Sequence, residues 1–259
     1  MTRRLFLTLT LLAMSTACGD DYDDSPSAPV TPAPAPQIVT GAGDITASIT
    51  AYRALLGEPR NGGAVGPAAS GRREIGWDGV PPELDNGDNK FPGAFFNTTT
   101  RLGVVMTTTG TGFRNDTSAF ADVESTLRDQ FAAFSPRKLF APTNSHVLDV
   151  HFQLAGQPTP GLVSGFGAVF VDVDQAERTT IEYFDAQGRS LGRVNVPVRT
   201  TATPFSFAGV RFPQAIVARV RITLGTAALA AGRRDVSAGG TADLVVVDDF
   251  LYGEPQPVS

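Results

Sequence analysis

The sequence predicts an all-β protein: a two-sheet antiparallel β-sandwich, jelly-roll-like, with one or two short helices. Three observations predict it. Gly (27) and Pro (19) are plentiful and Lys is nearly absent, which suits short strands and many turns. Several runs alternate apolar and polar residues with period two. Turn signals punctuate the chain between those runs. Hydrophobic residues make up 42% of 259, enough for one large all-β core. The net charge is −5 with no basic stripe, so nucleic acid is not a partner.

The first 17 residues form a separate unit. Arg3 and Arg4 precede an apolar stretch from Leu5 to Met14, and small residues follow up to Cys18. That is the order of a signal peptide. The stretch is shorter than the ~20 apolar residues of a membrane-spanning helix. Cys18 is the only cysteine, so an exported chain would carry one leftover thiol. Residues 18–40 then read as a tether: four Asp, followed by alternating Pro and Ala that favour an extended polyproline-II spacer. The sandwich domain is expected over residues 41–256.

Within that domain, Ile45, Ile49, Tyr52, Leu55 and Leu56 recur at helical spacing, with Asp44 to cap and Gly57 to stop a short amphipathic helix. Residues 58–71 read as an irregular loop. Trp77, the only tryptophan, is expected in the core or under a lid. Asp85 to Asn89 is an oxygen-rich turn, read either as an Asx-type surface turn or as a calcium loop. Arg101 to Thr109 is rich in β-formers. Phe120, Val123, Leu127, Phe131 and Phe134 fit either a further helix or loops plugged by aromatics, and a short strand is expected over 137–140.

His146 to Leu154 alternates as a half-buried strand, with Asp149, His151 and Gln153 on the outer side. His146 and His151 fall on opposite faces, which excludes a shared zinc ion. Gly165 to Asp174 (GFGAVFVDVD) is apolar on both faces, the pattern of a central strand covered on both sides. A hairpin follows, turning between Asp185 and Gly188. Val220 and Ile222 face inward while Arg219 and Arg221 face outward. Residues 227–240 read as a flexible loop, and a last apolar strand, interrupted by Asp248 and Asp249, closes the chain.

Five acids are candidate cation ligands. Asp172 and Asp174 lie two apart on the predicted strand, sharing a face about 7 Å apart. Two carboxylates that close repel unless a cation, an arginine or N–H groups compensate. Asp78, Asp248 and Asp249 are the residues expected to complete a calcium site with them, since Ca²⁺ takes oxygen ligands alone. The other reading pairs these acids with Arg178, Arg219 or Arg221. Tyr52, Trp77, Tyr183 and Tyr252 are candidates for a sugar-stacking surface or for the core.

Three segments, GRREIGWDGVP (71–81), GFGAVFVDVD (165–174) and VVVDDFLYGEP (245–255), together resemble an uncharacterised family of exported bacterial proteins with a jelly-roll-like domain. That resemblance covers 45–255 and implies the fold and export but no activity. Ser15 to Cys18 resembles the lipobox of bacterial lipoproteins, with Ser15 where Leu is usual. This resemblance implies lipidation (palmitate) at Cys18, and Gly19 implies transport to the outer membrane. The closing strand with its Asp pair is similar to carbohydrate-binding sandwiches stabilised by calcium. Asp172-x-Asp174-x-x-Glu177 faintly resembles the acidic strand of jelly-roll β-glucanases.

The expected function is thus an envelope lipoprotein whose membrane partner is its own lipid anchor. Its sandwich domain is expected to be non-enzymatic and calcium-stabilised, with a glycan or an envelope protein as ligand. The alternatives are a purely structural envelope protein and a jelly-roll glycoside hydrolase.

Overall fold

The computed structural model describes residues 35–258. The signal peptide, Cys18 and nearly all of the tether lie outside the described residues. The chain opens with β1 (Gln37–Ala42), α1 (Thr46–Leu56) and β2 (Arg72–Ile75). The short helix α2 (Phe95–Thr98) precedes β3 (Val104–Thr108), β4 (Gly112–Asp116), β5 (Leu139–Thr143) and β6 (Val147–Phe152). Next come β7 (Gly161–Leu162), β8 (Gly165–Val171), β9 (Thr180–Phe184), β10 (Ser190–Asn195) and β11 (Phe205–Arg211). The chain ends with β12 (Arg219–Thr223), β13 (Val246–Gly253) and β14 (Gln256–Pro257).

These strands build the predicted sandwich. One sheet has seven strands in the order β1-β11-β8-β13-β5-β4, with β2 also paired to β13. The other has five, in the order β10-β9-β12-β6-β3. All pairings within both sheets are antiparallel. From β8 onward the chain passes repeatedly from one sheet to the other, the jelly-roll-like trait the sequence predicts.

The main core lies between the sheets. Phe166, Ala168 and Phe170 of β8, Val220 and Ile222 of β12, and Leu148 and Val150 of β6 meet there, all without solvent exposure. Every residue of β8 is buried, as its two-sided apolar pattern requires. Its other face is covered in two places. Val169 lies under α1 with Ile45, Ile49, Tyr52 and Leu56. Val171 lies under loops that carry Phe120, Leu127 and Phe131. The segment around these aromatics is therefore plugged loop, with only a 3₁₀ turn over Ser125–Asp129.

Tyr52 fixes how α1 sits. Its ring lies over a window of two glycines, and its hydroxyl donates to the Val210 carbonyl at 2.9 Å. A Cβ at Gly209 would stand 2.8 Å from the ring and 3.0 Å from the Gly167 Cα. Asp44 accepts a hydrogen bond from the Thr46 N–H at 3.0 Å, although Ile45 holds the cap position. Gly57 ends the helix at φ 89°, its N–H donating to the Arg53 carbonyl.

The expected start of the domain needs correction. The sandwich begins before residue 41, because β1 starts at Gln37 and pairs with β11 from Gln37 to Ala42. Backbone pairing holds this edge strand while Ile38 remains exposed, so its composition blends with the tether. The first and last long strands do not pair with each other. β13 instead lies between β8 and the shared edge of β5 and β2.

The segments 71–81, 165–174 and 245–255 prove to be neighbours, since β2 and β8 both pair with β13. Arg73 and Glu254 form a fully buried ion pair, with Nε to Oε2 at 2.7 Å and Nη2 to Oε1 at 2.8 Å. Asn61 and the Ala68 N–H also donate to Glu254, which ties the 58–71 loop to β13. Trp77 stacks on Phe140 with centroids 4.0 Å apart and donates its indole N–H to the Asp248 carbonyl.

Gly209→Ala should destabilise the fold by roughly 1–3 kcal/mol, the usual cost of forcing a methyl into a packed interior. Chemical denaturation measures it. The double variant with Tyr52→Ala should show strong non-additivity, because both substitutions act on one contact.

Candidate cation site at the end of β8

The predicted strand through Asp174 ends early. β8 stops at Val171, and Asp172 takes a left-handed φ of 69°. The Asp172 N–H donates to the Pro204 carbonyl, and the Arg199 N–H donates to the Val173 carbonyl. The backbone thus turns out of the sheet, and the two carboxylates come closer than a strand would hold them. Asp172 Oδ1 lies 2.6 Å and Asp174 Oδ1 2.7 Å from the same atom, Arg199 Nε. The compensating arginine is Arg199, not Arg178, Arg219 or Arg221. Arg219 and Arg221 pair with Asp149 on the outer face of the five-stranded sheet.

Asp235 completes the group. One ligand oxygen each from Asp172, Asp174 and Asp235 lie within 4.8 Å of one another. Asp235 is fully buried within the stretch expected to be a flexible loop. It is fixed by the N–H and hydroxyl of Ser237 at 2.8 Å and by the Leu244 N–H at 2.7 Å. Asp243 braces the opposite side, accepting from the N–H groups of Asp174 (3.0 Å) and Gln175 (3.2 Å). Four carboxylates therefore converge where one guanidinium supplies positive charge. Asp172 is 1% exposed, and its Oδ2, like that of Asp174, is buried with no hydrogen-bond partner.

The electrostatics follow. Burial, reinforced by the Asp174 carboxylate, raises the Asp172 pKa to about 7 despite Arg199. Burial likewise raises Asp243 to about 6 against the two N–H groups that favour its anion. Asp174 is also raised, by burial and by its contact with the Asp235 carboxyl. A set of oxygens this short of positive charge is what a hard divalent cation matches.

Asp78, Asp248 and Asp249 do not join this set. Asp248 and Asp249 sit where β13 slips register against β8 between Val247 and Phe250, a β-bulge. Asp248 is fully buried and accepts from the N–H groups of Phe134 (2.7 Å) and Ser135 (3.2 Å). Ser135 Oγ bridges Asp248 Oδ1 (2.7 Å) and Asp78 Oδ2 (3.2 Å). These three acids form a second, separate polar cluster that holds the 134–135 loop. Burial and the neighbouring Asp249 carboxylate raise Asp248 to about 7.

Other candidates are accounted for by packing and pairing. Asp85 is neutralised by Lys138 Nζ at 2.8 Å and accepts from the Asn115 amide at 2.6 Å. Glu177 is exposed on the turn after β8. Tyr52, Trp77, Tyr183 and Tyr252 are all buried, so none of them offers a sugar-stacking surface. Arg199, Asp235 and Asp243 were not legible as site residues, because 27 to 71 residues separate them from Asp172 and loops bring them in.

No family model matches the sequence, and no curated protein matches it. Among the solved structures that resemble the fold weakly are the following two. One is TmCBM61 in complex with β-1,4-galactotriose, at 9% identity and a TM-score of 0.27, covering 65% of this chain and 95% of that one. The other is the enzymatically active domain of tailspike protein 4 of bacteriophage CBA120, at 17% identity and a TM-score of 0.24. It covers 68% of this chain but only 22% of its own.

Asp248 generates a pH prediction. Its folded pKa near 7 lies above the ordinary value of 3.8, so the folded state holds the proton that the unfolded chain releases. The folded state is favoured most below pH 4, and this contribution is lost as pH rises from about 4 to 7. Asp248→Asn, which keeps an acceptor for the Phe134 and Ser135 N–H groups, should flatten that decline in melting temperature.

Proposed function

We propose that this protein is an exported, lipid-anchored envelope protein whose β-sandwich is a non-enzymatic binding domain stabilised by a calcium ion. The anchor reading rests on the sequence of residues 1–36, with Cys18 as the lipidated residue and the outer membrane as destination. The domain reading rests on one observation: three carboxylate oxygens within 4.8 Å of one another beside a single guanidinium, with buried oxygens on Asp172 and Asp174 left unpartnered. A Ca²⁺ ion held by Asp172, Asp174 and Asp235 would satisfy those oxygens and lock the turn after β8 to the 235–243 segment. Asp243 would act as a positioning residue, since its carboxylate already holds the backbone of Asp174 and Gln175. The ligand of such a domain is a glycan or another envelope protein, and polar contacts would recognise it, because the large aromatics are committed to the core.

Two measurements test the two halves independently. Calcium added to EDTA-treated protein should raise the melting temperature, with the rise growing as the logarithm of calcium concentration above Kd, and Asp235→Asn should remove most of that rise. An unchanged melting temperature at millimolar calcium would remove the cation from the account. Cys18→Ala should move the protein from the membrane to the soluble fraction, and a variant that still sediments with membranes would remove the anchor.

A further inference from the structure

A cavity of about 680 Å³ opens directly beside the carboxylate group, within the size range of small-molecule sites. Asp172 and Arg199 form part of its wall, together with Arg128, Gln130 and Thr203. Three polar atoms of this lining are buried with no hydrogen-bond partner: Thr203 Oγ1, Gln130 Oε1 and Asp172 Oδ2. Buried polar groups are nearly always paired, so such a concentration around one cavity marks a place where a polar ligand supplies the missing partners. The lining hydroxyls of Thr126, Thr201 and Ser237 suit a polyhydroxylated ligand. The guanidinia of Arg128 and Arg199 suit a carboxylate on it, because a planar guanidinium can bind a carboxylate through two parallel bonds. Asp129, also on the wall, opposes that anion, so the direction in which the Arg199 guanidinium points decides the balance.

Arg199 cannot serve both sides. Its Nε now lies 2.6 and 2.7 Å from Asp172 and Asp174, where a divalent cation would stand. Its backbone is fixed by the hydrogen bond from its N–H to the Val173 carbonyl, so only the side chain need move. We infer that the cavity binds a small acidic sugar of the uronic-acid type, and that a divalent cation on Asp172, Asp174 and Asp235 promotes this by releasing Arg199 toward the cavity. The inference rests on the cation site proposed above. The cation supplies the charge that the carboxylates otherwise draw from Arg199, and the freed guanidinium joins Arg128 in holding the sugar carboxylate. Because the coupling is reciprocal, the sugar tightens calcium binding by the same factor.

The test is calorimetric titration of D-galacturonate into the full-length protein, in saturating calcium and in EDTA, with galactose as the neutral control. Calcium should tighten galacturonate binding by about tenfold, a typical coupling between linked sites. Galactose should bind more weakly and without calcium dependence. Arg199→Gln should abolish the calcium enhancement while calcium still raises the melting temperature. Arg128→Gln, on an exposed surface, should weaken galacturonate binding without altering the calcium response, and it keeps the test open should Arg199→Gln fail to fold. If calcium raises the melting temperature but galacturonate does not bind in either condition, the inference is overturned and the cation site stands. Equal galacturonate binding with and without calcium overturns the coupling. No melting-temperature response to calcium removes the cation site itself.

Discussion

The structure depends on burying β8 on both faces. A strand with no polar side must be paired at both edges and covered above and below. β11 and β13 pair its edges, the second sheet covers one face, and α1 with the aromatic loops covers the other. Much of what seemed particular to the sequence follows from that requirement. Gly167 and Gly209 exist as they do because the Tyr52 ring needs to approach the sheet closely. Trp77, Phe140 and Phe250 pack edge and face to fill the inter-sheet space beside it.

The same requirement explains why polar chemistry collects where β8 ends. Once the strand leaves the sheet at Asp172, its backbone groups lose their ladder partners and must find others. Pro204, Asp243 and Arg199 supply them from three separate segments. The result is a buried polar knot at the edge of an apolar core, which is where unpaired carboxylates are most costly and a cation has most to offer. The second knot, around Asp248 and Ser135, has a different solution. There the bulge in β13 aims Asp248 at two backbone N–H groups and a hydroxyl, and its oxygens are all satisfied. Asp78 Oδ1 and Asp249 Oδ1 are also buried there without partners, but among the described residues only Asp172, Asp174 and Asp235 bring three carboxylate oxygens within 4.8 Å of one another.

Much of the fold was legible before the structure. The alternation in Leu148 to Phe152 and in Val220 to Ile222, the two-sided strand and the Asp185 to Gly188 turn all encode local geometry, and local periodicity survives without tertiary knowledge. The boundary of β1 was not legible, since an exposed edge strand held by backbone bonds has no apolar signature. Nor was the plugged loop around Phe120 and Phe131, because spacing near a helical period also fits separate aromatics that drop into one cavity. Of the five acids singled out, Asp172 and Asp174 share a site while Asp78, Asp248 and Asp249 form another, and Asp235 came from a stretch of Ala and Gly with no visible pattern. Proximity between distant loops is set by packing, and no spacing rule carries it. The segments 71–81, 165–174 and 245–255, by contrast, meet along β13, where Arg73–Glu254 and Trp77 hold them together. Their distinctive residues are explained by the fold itself.

The central claim is that a cation, not Arg199, completes the carboxylate group at the end of β8. A crystal structure determined at saturating calcium tests it most directly. The account predicts an ion about 2.3–2.6 Å from carboxylate oxygens of Asp172, Asp174 and Asp235, with the Arg199 guanidinium turned toward the cavity. Anomalous scattering from the same crystal would identify the ion. A structure in which Arg199 still bridges Asp172 and Asp174, with no ion between them at that concentration, would contradict it.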